Sequence, residues 1–136
     1  QLGPLCQWAA DGKKGLPPGA KTYQGNHYLM IRGYGLGIPA CDIPLKRLGG
    51  HRPVLSTKEE HDWFAENIGT SVWLGLELDG KGTWRWITGE PMTYQPGWDD
   101  PKHANKTTGV ILSNTRKWQL LNIDHARNLS IEWEGK

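Results

Sequence analysis

The segment from Val72 to Trp98, VWLGLELDGKGTWRWITGEPMTYQPGW, limits what this chain can become more than any other part of it. Apolar and polar residues alternate around Trp73, Gly75 and Leu78 and again at Trp84 and Trp86, the period of half-buried strands. Gly80, Gly82, Gly89 and Pro91 divide the segment into short pieces joined by tight turns. Four of the eight tryptophans lie here, and one such ring buries roughly 150–250 Å². The segment therefore predicts the centre of a core built on short strands.

A chain of 136 residues is most simply one domain with a single core. Eighteen glycines and nine prolines predict a loop-rich fold with short strands instead of a helical bundle. A net charge of +2, with the basic residues scattered, argues against nucleic acid as the main ligand. No apolar run approaches the ~18 residues of a membrane helix, so no membrane insertion is expected. The first residues carry no signal-like apolar segment, and two readings of that stay open: a removed leader, or a start inside a longer polypeptide. Cys6 and Cys41 form either one disulfide tying the N-terminal arm to the body or two separate thiols, because sequence does not place them within the ~4.4–6.8 Å Cα separation of a bridge. Neither their number nor their spacing suggests a metal site.

In chain order, residues 1–20 form a polar, Gly/Pro-rich arm or linker in which LPPGA at Leu16 to Ala20 is extended, and residues 21–136 form the domain. Tyr23 to Ile31 reads as a first strand, and the glycine-rich Gly33 to Ile38 as a loop. Asp42 is expected to cap a short helix with Pro44 in its first turn, ended by Gly49-Gly50. A second helix is capped by Ser56 or Thr57, carries Glu59 and Glu60 in its first turn, has Trp63, Phe64 and Ile68 recurring at helical spacing, and closes at Asn67-Ile68-Gly69. His61 is expected to be an exposed histidine on that helix. Gly97 to Thr108 is a long polar loop of the kind that often carries function. Val110 to Leu112, Lys117 to Leu121 and Leu129 to Trp133 read as closing strands. The result is an α+β domain of two helices and a mostly antiparallel, looped sheet.

These residues resemble the C-type lectin-like domain, in particular its bacterial members, from about Gly19 to Lys136. The resemblance rests on the order and spacing of GNHYLM, LGGH at Leu48 to His51, STKEEHDWF, VWLGL, GTWRWITGEPMTY and the terminal IEWE at Ile131 to Glu134. It implies a looped fold with VWLGL as a core strand, neighbouring termini, a ligand site in the long loop, and an extracellular or cell-surface address. It also implies two disulfides, but the four matching positions are Leu45, Gly109, Ile123 and Ile131. Losing a disulfide from a small domain costs ~2–5 kcal/mol, so buried leucine and isoleucine must recover that stability by packing.

Sugar-binding relatives hold calcium with oxygen side chains on both sides of a loop proline and with an Asn-Asp pair after a late tryptophan. Here those patterns read Asp100-Pro101-Lys102 and Trp118-Gln119-Leu120. A cation wanting ~6–8 oxygen ligands would meet an ammonium group and a leucine, so neither calcium there nor any other cofactor is expected; adjacent Asp99 and Asp100 read as surface acids, with a contribution to some other cation site left open. Metal-free sugar binding needs an aromatic face with amides, carboxylates and basic groups around it. Tyr94, Trp98, Asp99, Asp100, Lys102, His103, Asn105 and Lys106 supply these types, joined by Arg116 and Gln119 if the family geometry holds. Trp98 also reads as a loop anchor, and Trp73, Trp84, Trp86, Trp118 and Trp133 as core, with buried indole N–H groups that need partners.

The expected function is a calcium-independent binding module recognising a carbohydrate through its long loop. The alternative is a protein-interaction or display module of a larger surface or signalling protein, since interface rims have the same composition. No spacing among the five histidines and the paired acids Glu132 and Glu134 matches a hydrolase, phosphate-loop or metalloprotease pattern, so no enzyme is expected. Asn105-Lys106-Thr107 and Asn128-Leu129-Ser130 match the N-glycosylation acceptor pattern, which has meaning only on a eukaryotic secretory route.

Overall fold

The protein is described by a computed structural model that covers residues 12, 16–17, 19–36, 38–99, 108–123 and 127–134. Strands β1 (Lys21–Tyr23) and β2 (Asn26–Leu36) form an antiparallel hairpin. Gln24 and Gly25 join them with φ of 49° and 86°, the left-handed pair of a two-residue hairpin turn. The single strand expected from Tyr23 to Ile31 is thus two strands, split where glycine tolerates positive φ. The loop expected from Gly33 is also strand as far as Leu36, because β9 (Arg127–Trp133) continues the ladder to Leu36↔Arg127 across a register irregularity after Ile31.

Helix α1 spans Ile38–Arg47, so it starts upstream of Asp42. Pro39 falls in its first turn, where a missing N–H costs nothing, and Asp42 lies inside the helix, free to pair elsewhere. Its end follows expectation: Gly49 has φ 82°, and the Gly50 N–H donates to Leu45 O at 3.0 Å. Helix α2 spans Lys58–Asn67 with Thr57 as its cap; the Thr57 hydroxyl accepts the Glu60 N–H at 3.1 Å, and the Glu60 carboxylate accepts the Ser56 N–H at 3.2 Å. This is a capping box displaced by one residue.

The remaining strands are β3 (Val72–Trp73), β4 (Leu76–Leu78), β5 (Trp84–Trp86), β6 (Trp98–Asp99), β7 (Thr108–Leu112) and β8 (Trp118–Asn122). The main sheet runs β1-β2-β9-β3-β7-β8-β6, and β4-β5 is a separate hairpin. Its pairs are antiparallel except β3 with β9 and β6 with β8.

Two apolar clusters fill the interior. One gathers Tyr28, Phe64, Leu74, Trp86 and Trp118 under α2. The other gathers Leu45, Trp73, Leu129, Ile131 and Trp133 under α1. Leu45 and Ile131, two of the positions where the family resemblance implies cysteine, are both fully buried in this second cluster, and Ile123 packs against it. Apolar contact occupies the place of the staple. Gly50 permits the approach, since a Cβ there would lie 2.5 Å from Ile131 Cγ1 and 2.7 Å from Glu132 O. The buried indoles divide. Trp118 donates to His61 and Trp133 to Leu48 O, whereas the N–H groups of Trp73 and Trp86, expected to have partners, have none among the described residues.

Candidate functional site

The long loop begins at an aromatic shelf. β6 lies parallel to β8 in the register Trp98↔Trp118 and Asp99↔Gln119. The half-buried Trp98 ring stands edge-on to Trp118 at 5.6 Å and tilts toward Trp84 at 6.3 Å, while its indole N–H donates to Gln95 Oε1 at 3.1 Å. Its contacts fit the loop-anchor reading, and the side chain remains part-exposed. Tyr94 meets the His61 ring edge-on at 5.4 Å, one ring away from Trp118.

The polar candidates are placed unevenly. Asp99 Oδ2 accepts hydrogen bonds from the Thr115 hydroxyl and from Ser113 Oγ, the latter at 2.7 Å. These two bonds, Thr115 first, hold its carboxyl below the usual carboxylate range. Arg116, at φ 66°, turns its guanidinium to Glu66 of α2 at 3.3 Å. Thus Trp98, Asp99 and Gln119 lie on the two strands at one edge of the sheet, Tyr94 packs on His61 of α2, and Arg116 pairs with the helix. Asp100, Lys102, His103, Asn105 and Lys106 lie outside the described residues, as do Cys6, the Cys41 side chain and the Asn105 sequon. The other sequon lies within β9, where the half-buried Asn128 donates its side-chain amide to Thr70 O at 3.3 Å and the buried Ser130 hydroxyl donates to Leu29 O at 2.9 Å.

His61 corrects an expectation. It is fully buried, because α2 turns this residue inward beneath β8, where Nε2 accepts the Trp118 indole N–H at 3.1 Å. Burial pushes its pKa down to about 4 against the partial opposition of Asp62.

A second polar system was not legible as a unit. Glu132 of β9 is buried; its Oε1 accepts the Val54 N–H at 2.7 Å and its Oε2 accepts from Asn26 Nδ2 at 2.9 Å. Burial pushes it up to about 9, opposed by the Val54 bond and reinforced by the fields of Glu60 and Glu134. The Tyr28 hydroxyl donates to Glu60, which burial also raises. Nearby, a cleft of about 320 Å³ is lined by Asp42, Lys46, His51, Arg52, Glu77 and Thr88. Arg52 lies buried in its wall, bound to Asp42, Glu77 and Leu74 O.

A family model described as the lectin C-type domain matches residues 40–129, well over half of the chain. The chain belongs to the C-type lectin domain family. Solved structures agree on the fold. The cow C-type carbohydrate-recognition domain of CD23, determined in the presence of a GlcNAc2Man3 oligosaccharide, superposes with a TM-score of 0.77 at 19% identity, covering 90% of this chain and 98% of that one. The mouse scavenger receptor C-type lectin carbohydrate-recognition domain gives 0.75 at 21% identity over 90% and 100% of the two chains. A calcium-independent type II antifreeze protein gives 0.75 at 16% identity over 90% and 96%. No curated protein matches. As a C-type lectin domain the molecule is an α+β binding module and not an enzyme. No helix among the described residues is long and apolar enough to cross a membrane.

Proposed function

We propose that this C-type lectin domain binds a carbohydrate without calcium, through the loop from Tyr94 to Thr108. The observation that carries the reading is the part-exposed Trp98 ring at the start of the loop, packed against Trp84 and Trp118. A sugar ring stacks on such a face while its hydroxyls bond to the flanking oxygens and amides. Independence from calcium is supported by Leu120, which packs against the core where a ligating side chain would be required. It is supported too by Asp99 Oδ2, already accepting two hydroxyl protons. The similar folds include one solved with an oligosaccharide and one described as calcium-independent.

The test is a glycan array with and without chelator. Binding that survives chelation, and that weakens when Asp100, Lys102 and Asn105 are together replaced by alanine at unchanged melting temperature, supports the proposal. Binding abolished by chelator overturns its metal-free half. A silent array with an intact fold favours the protein-interaction module instead.

A further inference from the structure

Away from the long loop, three metal-ligating side chains converge where the segment after α1 meets the last strand. His51 and Glu132 form an isolated antiparallel bridge, with the His51 N–H donating to Glu132 O at 3.0 Å and the Glu132 N–H to His51 O at 2.8 Å. Glu134 follows two residues later, on the same side of an extended chain as Glu132. One ligand atom from each of the three lies within 4.8 Å of the others. The backbone bridge fixes this arrangement independently of the side chains.

The imidazole is oriented by a group that is not itself a ligand. Nδ1 lies 2.7 Å from the Arg52 carbonyl oxygen, which can only accept, so Nδ1 carries a proton. Nε2 then faces the Glu134 carboxylate, 2.7 and 3.0 Å from its two oxygens. Two lone pairs at that distance require a positive charge between them, either a second proton or a metal ion. Glu132 adds another carboxyl group from a buried position, whose proton a bound cation would displace, and its two donors, Val54 N–H and Asn26, are neutral. Among the described residues no lysine or arginine makes an ion pair with Glu132 or Glu134; His51 alone does, with Glu134.

We propose that His51, Glu132 and Glu134 bind a divalent first-row transition cation such as Zn²⁺, with water completing the coordination. Imidazole nitrogen combined with carboxylate oxygen suits zinc, cobalt or nickel, whereas calcium requires ~6–8 oxygens. Bonds of ~2.0–2.2 Å in a tetrahedron place ligand atoms ~3.3 Å apart. His51 and Glu134 already approach more closely than that, and Glu134, whose side chain is 59% exposed, has the freedom to rotate. The Arg52 carbonyl is the outer hydrogen-bond partner that a ligating histidine needs. Binding would tie the segment after α1 to the C-terminal strand and so stabilise the fold.

The test titrates Co²⁺ into the dialysed full chain, following visible absorption, then displaces it with Zn²⁺ and records thermal melts with and without Zn²⁺. One equivalent of Co²⁺ should bind with a nitrogen-and-oxygen ligand-field spectrum, and Zn²⁺ should raise the melting temperature. His51→Ala and Glu134→Gln should each weaken Co²⁺ affinity by about tenfold or more. Glu134→Gln alters an exposed side chain, so its circular dichroism should match that of the parent. No Co²⁺ absorption, or unchanged affinity in both variants, overturns the proposal. No residue of the Tyr94 to Thr108 loop takes part, so the glycan result bears on a different surface.

Discussion

The indole N–H of Trp118 donates to Nε2 of His61 across 3.1 Å, in a core where neither ring reaches solvent. An indole nitrogen only donates, so Nε2 is the acceptor and His61 is held as the neutral tautomer protonated at Nδ1. Nδ1 has no hydrogen-bond partner among the described residues, and Asp62 Oδ1 stands 4.0 Å away. The bond joins α2 to β8, and Trp118 in turn backs Trp98. The floor of the candidate site is therefore coupled to the protonation of one buried ring.

That coupling predicts a pH dependence. The folded-state pKa is pushed down to about 4 from 6.5, so the unfolded chain takes up this proton first. The stabilisation from neutral His61 is complete above about pH 6.5 and is lost as pH falls through about 4, amounting to roughly 3 kcal/mol. Glu60 and Glu132 have raised pKa values and act in the opposite sense as pH falls, so the informative quantity is a difference. Urea unfolding of the parent and of His61→Gln, which offers the indole an acceptor that does not titrate, should show the parent's advantage shrinking between about pH 7 and pH 4. A constant advantage would place the titration elsewhere.

What the sequence reveals and what it hides follows the range of the interactions involved. Helix α2 is legible because its caps are local: Thr57, Glu60 and Gly69 are read within a dozen residues. The closing strands are legible because alternation is local too. The burial of His61 is not, since the indole that receives it lies 57 residues away. The same holds for Glu132, whose donors Asn26 and Val54 are 106 and 78 residues distant. Asp42 shows the converse failure: its local signal as a helix cap is real, but Arg52 claims its carboxylate. In the candidate site, motif order located Trp98 and Gln119, while the pairing of Arg116 with Glu66 depends on how the turn before β8 meets α2.

Gly50 should not tolerate a side chain. A methyl group there would sit 2.5 Å from Ile131 Cγ1 and 2.7 Å from a backbone oxygen that cannot retreat without breaking the His51–Glu132 bridge. Gly50→Ala is expected to cost about 2 kcal/mol or more, as other overpacked positions do, and to lower the melting temperature visibly. An unchanged melt would mean that the segment after α1 is free to shift.

If apolar packing replaces the missing staple, Leu45 should be expensive to truncate. It is buried with Ile131, Trp73 and Trp133, so Leu45→Ala should cost about 2–5 kcal/mol. Leu45→Met, which conserves volume, should cost less than about 1.5 kcal/mol. Urea unfolding midpoints of the two variants measure the contrast; a truncation cost below about 1 kcal/mol would locate the compensation elsewhere.

The two acids on Arg52 should not be equivalent. Arg52 is 1% exposed, and its Nε and Nη2 reach both oxygens of Asp42 at 2.9 and 3.4 Å, while Nη2 also reaches Glu77 at 3.1 Å. Its Nη1 donates to the Leu74 carbonyl at 2.6 Å, so the guanidinium cannot turn toward water when an acid is lost. Asp42→Asn leaves a buried cation with a single exposed counterion and should cost about 2 kcal/mol, below the full penalty for breaking a buried pair because Asp42 is itself part-exposed. Glu77 is 63% exposed, and Glu77→Gln should cost less than about 1 kcal/mol. Raising the salt concentration should narrow the Glu77 effect more than the Asp42 effect, because screening acts on the exposed pair. The reverse order of stability losses would identify Glu77 as the principal counterion of the buried guanidinium.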